Sequence, residues 1–241
     1  MFERGISKTI GGLLAAIGLL AVLSLISIPV SRWELEAGTL VGEAGDSFVR
    51  LFSLDAEGNI PTWFSSAMLL AASALLGVIA HFRRRHGQPF ANHWAVLALV
   101  FLYISMDETA RIHEMLGTPV NAVWDTNGFL HFGWIIPGIL FVVLFAAAYV
   151  PFLFHLPRRT RRGFLIAGTV FVVGAIGFES LCGYFYSRSG SYLDVPFLLA
   201  ANVEEVLEMV GIVILLHALL LFIQQELRGP ILEDVSLLLG S

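Results

Sequence analysis

The stretch Trp94–Met106, WAVLALVFLYISM, runs directly into Asp107–Glu114, DETARIHE. As a helix, those thirteen apolar residues rise only about 20 Å at 1.5 Å per residue. A hydrocarbon core of roughly 30 Å needs about 20 residues to cross it, so Asp107 and Glu108 fall inside the bilayer and not beyond it. An ionisable group at that depth costs about 2.5–3.5 kcal/mol even on lenient insertion scales. A chain that keeps five of them in eight residues must pair them, give them an ion, or line a polar cavity with them.

The rest of the chain agrees with a membrane setting. Of 241 residues, 57% are hydrophobic and 14% are charged, and mean hydropathy is +0.80. Soluble domains carry about 25% charged residues. The single cysteine, Cys182, excludes an intrachain disulfide, a CxxC redox pair and a thiolate zinc cluster. No basic footprint for nucleic acid is present.

Six apolar segments, at about 10–30, 62–82, 91–116, 130–154, 163–186 and 197–224, predict an all-α, polytopic membrane helix bundle filling residues 1–241 as one transmembrane domain. The first segment is too long for a signal peptide and lacks a small-x-small cleavage site, so it reads as a retained span. Asn59 followed by Pro61 marks the start of the second helix, a capping side chain and then proline in the first turn. Ten of the fourteen Lys and Arg fall in the N-terminal stub, the loops after spans two and four, and the segment after span six. The positive-inside rule then puts both termini in the cytoplasm of a plasma membrane of the bacterial inner type. The long 31–61 connection is external and acidic, with Phe48–Phe52 expected as a short segment lying on the membrane surface. The 231–240 tail reads as a small amphipathic piece on the inner face.

Orientation turns the octet into a question of depth. Asp107 stands about 20 Å above Trp94, Glu179 about 22 Å above Phe164, and Glu208 about 22 Å above Ile223, by helical rise. Three helices therefore bring carboxylates to one level, in the outer third of the bilayer. Glu204, Glu205, His113 and Glu114 follow a turn higher, and His131 opens the fourth span. At 100° per residue, Asp107, Arg111 and Glu114 share one stripe, with Glu108 at its edge, and Glu204, Glu205 and Glu208 share another. On a straight helix His113 points away from its stripe, unless the helix loosens before Gly117. The plainer alternative is that Arg111 merely pairs with Asp107 or Glu114 and pins helices together. Gly174 and Gly177 read as contacts for close helix packing.

Seven carboxylates against one arginine cannot all stay ionised in a low dielectric. Either protons or cations must neutralise some of them. Cations give a metal centre of the di-iron or di-manganese kind, with Glu108, His113, His131, Glu179, Glu204, Glu205 and Glu208 as ligands and Asp107, Arg111 and Glu114 in catalytic roles. The usual paired Glu-x-x-His motifs are missing, so the likeness is one of ligand inventory. The substrate would be a lipid or quinone entering from the bilayer, with membrane lipids as surroundings and room for a homo-oligomer. Protons instead give a cation- or proton-coupled transporter. Against it stand the nearly charge-free inner halves of the spans and the lack of an inverted repeat. An accessory subunit whose acids face a partner is the third reading. His113-Glu114 does not begin a zinc-protease motif, since position 117 is glycine.

Overall fold

The computed structural model describes residues 2–37, 40–124 and 126–227, without the side chains of residues 2, 32–37, 40–43 and 227. The acidic side chains Glu34, Glu36 and Glu43, the basic Arg228 and the 231–240 tail lie outside what it describes. The described residues form helices α1 (Phe2–Ala37), α2 (Leu40–Phe52), α3 (Ile60–Arg85), α4 (Ala91–Ala110), α5 (Ile112–Val123), α6 (Ile135–His155), α7 (Arg158–Val172), α8 (Glu179–Ser189) and α9 (Val195–Phe222). A π-helical turn, Val173–Phe178, joins α7 to α8, and another, Ile223–Leu227, extends α9. A single 3-10 turn, Gly128–Leu130, precedes α6.

Among the described residues, five helical stretches are long and apolar enough to cross a membrane: Glu3–Ser31, Ile60–Arg85, Ile135–His155, Arg158–Ser189 and Val195–Glu226. The segment expected as the third of six spans, 91–116, is not among them. It is not one helix. α4 ends at Ala110, Arg111 adopts a left-handed backbone with φ 54°, and α5 leaves in a new direction. A non-glycine residue in that region costs about 1 kcal/mol or more and needs surroundings that hold it there.

The start of α3 follows its sequence signal. The Asn59 side chain accepts from the Thr62 N–H at 3.1 Å, with Pro61 in the first turn. α3 and α4 then form an antiparallel hairpin clasped by serines. Ser66 Oγ donates to the Ser105 carbonyl at 2.7 Å, Ser105 Oγ to the Ser66 carbonyl at 2.9 Å, and Ser73 Oγ to the Ala98 carbonyl at 2.7 Å. Small hydroxyls of this kind let two apolar helices approach closely where water cannot serve their polar groups. α9 runs through the centre of the bundle. Its Met209, Ile212, Leu219 and Phe222 are sealed in one core with Leu69, Leu76, Ile79, Trp94 and Phe152. Each such side chain contributes on the order of 1.5–3 kcal/mol by leaving water.

The 31–61 connection is more helical than a surface loop. α1 continues to Ala37, α2 packs back along it, and the Leu54 N–H donates to Ser24 Oγ, mid-way along α1, at 2.8 Å. That bond sets the 53–59 loop beside the C-terminal end of α4.

Candidate functional site

Three features of the backbone aim the acidic side chains. The first is the break at Arg111. It frees the first N–H groups of α5, and Asp107, one turn back in α4, caps them by accepting from the His113 N–H at 2.7 Å. The same carboxylate meets His113 Nδ1 at 2.8 Å. The break therefore swings His113, which a straight helix would turn away, into the cluster, and its ring edge meets Trp134 with centroids 4.7 Å apart. With Nδ1 held by a carboxylate, Nε2 is the nitrogen left to bind. This is the way metal-ligating histidines are commonly oriented.

The second feature is the π turn before Glu179. Gly174 lies against α9 so closely that a Cβ there would stand 2.9 Å from the Glu204 carbonyl oxygen and 3.0 Å from Glu208 Cγ. Gly174 therefore permits the close approach expected of it. Gly177 does not share this role, since a Cβ there would meet only Val173 at an ordinary 3.9 Å. The wider turn brings Glu179 onto Trp134, whose indole N–H donates to Glu179 Oε1 at 3.0 Å. Such single π turns inside α-helices recur at functional sites.

The third feature is the α9 stripe itself, where Glu204, Glu205 and Glu208 face a cavity of about 1600 Å³. Among the described residues, one group of donors results. Glu179, Cys182 and Glu204 place one ligand atom each within 4.8 Å of one another, and Cys182 Sγ lies 3.5 Å from Glu204 Oε2. Glu108 of α4 lines the same cavity as Glu205 and Glu208.

At the cavity mouth Arg111 is held by two carboxylates, Glu57 through Nε and Glu114 through a terminal nitrogen. Its side chain does not pair with Asp107, whose oxygens are taken by His113. Asp55 also lines this mouth. Burial pushes the Asp55 carboxyl up to about 6 and Glu57 up to about 7, the nearby Arg111 charge notwithstanding.

Nine of the ten residues expected at the site line this one cavity: Asp107, Glu108, Arg111, His113, Glu114, Glu179, Glu204, Glu205 and Glu208. His131 is the exception. Its ring lies against Phe132 and Tyr186, with centroids 5.1 and 4.7 Å away, and it is not part of the cavity wall. The 3-10 turn that carries it ends before α6 begins, and so turns it toward α8. Sequence reasoning missed Asp55, Glu57, Cys182 and Trp134. The DAEGN loop at 55–59 carried a signal, because two acids immediately before a span sit at the level of the buried ones. Cys182 had one too: it lies one helical turn after Glu179, on the same face.

The chain belongs to the family described as a domain of unknown function (DUF8692), whose model matches residues 12–223. No curated protein and no solved structure matches it.

Proposed function

We propose that this protein is a membrane-embedded, metal-dependent enzyme that acts on a membrane-dissolved substrate, a lipid or quinone, at the Glu108–Glu208 cavity. One observation carries the reading. Glu179, Cys182 and Glu204 bring one ligand atom each within 4.8 Å of one another, on the wall of a cavity that Glu108, Glu205, Glu208 and a histidine already oriented through Nδ1 also line. A donor set dominated by carboxylate oxygens, with one imidazole and the single sulfur of Cys182, suits a pair of iron or manganese ions better than zinc. Bound ions would offset part of the acidic charge and polarise a carbonyl or activate water or oxygen. Asp107 holds His113 in place, and Arg111 with Glu57 and Glu114 shapes the mouth. The orientation that puts this mouth on the outer side, with both termini in the cytoplasm, rests on the distribution of arginines.

Elemental analysis of the detergent-purified full chain tests this. Wild type should carry stoichiometric iron or manganese, and Glu108→Ala and Glu208→Ala should lose it while still folding as judged by size exclusion and helical circular dichroism. Absence of any transition metal from wild type would overturn the reading. A proton-driven flux into liposomes, abolished by the same variants, would put a transporter in its place.

A further inference from the structure

We infer that the cavity receives a long-chain amphiphile with an uncharged oxygen head, which enters sideways through a window between α4 and α6. The position of its head rests on the metal-centre reading, whereas the tail basin and the window do not.

The window has a sill and a lintel. At the sill, Tyr149 of α6 donates its hydroxyl to the His93 carbonyl of α4 at 3.0 Å, and Phe152 stacks on the His93 ring with centroids 5.8 Å apart. At the lintel, His113 meets Trp134. From Pro137 to Tyr149 lie about 18 Å of α6, by helical rise. Along that interval Leu99, Tyr103 and Phe141 line the cavity and are 63%, 45% and 52% exposed, so no neighbouring helix covers them. Large apolar cavity residues left this uncovered between two helices mark an open seam. Because α6 is one of the helices apolar enough to cross a membrane, the seam opens onto lipid.

Behind the window the cavity changes character. From Glu108 down to Leu97 is about 16 Å of α4 by helical rise, and over that depth the wall is Phe145, Phe164, Phe171 and Leu215 with no charged side chain. Such a basin takes an apolar tail, and its only polar end is the acidic one. There the electrostatics select the head. Asp55, Glu57, Asp107, Glu108, Glu114, Glu179, Glu204, Glu205 and Glu208 line this end, more negative charge than Arg111 and two divalent ions would balance, while Arg111 is already held between Glu57 and Glu114 and His113 by Asp107. A phosphate or carboxylate head needs donors of the guanidinium type and would meet like charge instead. An alcohol, carbonyl or quinone oxygen needs neither. The ordinary two-tailed anionic phospholipids that surround the protein are thus excluded from the cavity by charge.

The test uses the full chain in detergent micelles and octadecanol carrying a diazirine in its tail. After photolysis, labelled peptides are mapped by mass spectrometry, and metal is measured on the same sample. Saturable labelling is expected within 141–153 and 164–173. Excess plain octadecanol or a decyl-benzoquinone should reduce it at least tenfold, whereas phosphatidylglycerol should not. Gly168 lines the basin, and an added Cβ there meets nothing within 4 Å. Gly168→Trp should therefore fold, keep its metal, and lose at least tenfold in labelling. Unsaturable labelling, equal competition by phosphatidylglycerol, or unchanged labelling of a folded Gly168→Trp would each overturn the inference. Saturable labelling of a protein found to hold no metal would uphold the basin and sink the metal centre alone. Stoichiometric metal without saturable labelling would do the reverse.

Discussion

Around His93 and Tyr149, Trp94, Phe152 and Phe222 are sealed from solvent and packed ring against ring, with the left-handed Phe90 before α4 and the π turn Ile223–Leu227 after α9 at the region's edge. Around Glu108 and Glu208, the same helix pairs hold carboxylates at a cavity, and the backbone leaves the α-helix at Arg111 and at Val173–Phe178, between helical segments. The first region is held by buried rings, and its irregular backbone lies only where helices end. The second needs departures that are individually unfavourable and that only the surrounding packing holds in place. The difference teaches that stability and the candidate chemistry have been assigned to opposite parts of α4 and α9.

The comparison can be broken first at the aromatic region. Phe152→Ala should cost about 3–5 kcal/mol of stability, as deletion of a fully buried ring does, and should leave metal content per folded molecule unchanged. Thermal unfolding with elemental analysis reads both, and loss of metal at unchanged stability would contradict the division. Next, Asp107→Asn removes the carboxylate that fixes His113. Losing such a partner weakens metal binding by about 10–100-fold. Nitrogen NMR of the imidazole should then show a mixture of tautomers where wild type shows one, and a single tautomer in both would refute the assigned role.

Gly174→Ala sharpens the contrast from the other side. Its Cβ meets the Glu204 carbonyl and Glu208, so α9 must move away from the π turn. The cost should be about 1–3 kcal/mol by overpacking, whereas Gly177→Ala should be close to neutral. Equal effects at the two glycines would show that the close approach does not matter.

The mouth offers a smaller, pH-dependent test. Asp55 and Glu57 titrate higher in the folded chain than their ordinary 3.8 and 4.5, at about 6 and about 7. For acids raised in this way the charged form is disfavoured on folding. Their stabilising contribution is therefore complete below pH 4 and is lost as pH rises through 6 to 7. The double variant Asp55→Asn, Glu57→Gln should flatten the pH dependence of the unfolding temperature between pH 4 and 7, and an unchanged slope would refute the assignment. The smallest effect belongs to Arg111→Gly. Glycine relieves the left-handed backbone by about 1 kcal/mol, against two exposed ion pairs worth at most about 1 kcal/mol each. The net change should stay within about 1 kcal/mol, and a loss above 2 would show those pairs to hold the mouth together.

Most of the fold was legible because hydrophobic length is a local property. The α3 start at Asn59 and Pro61, five of the six apolar spans and the level expected for Asp107, Glu179 and Glu208 all follow from counting residues along helices. His131 lies outside the cavity wall for a physical reason. The 3-10 turn Gly128–Leu130 before it sets its direction, and helical counting has no bearing on that. His113 shows the converse, because its direction is wrong on an ideal helix and right on the broken one.

By itself, then, the amino-acid sequence determined that this chain is helical, apolar enough for a membrane, and burdened with acids inside its apolar helices, since each is a matter of composition and of 1.5 Å per residue. Only the tertiary structure decided which of those acids meet. The Arg111 break, the π turn before Glu179 and the return of α2 along α1 that brings Asp55 and Glu57 to the mouth are set by contacts between segments distant in sequence, and no local pattern encodes them.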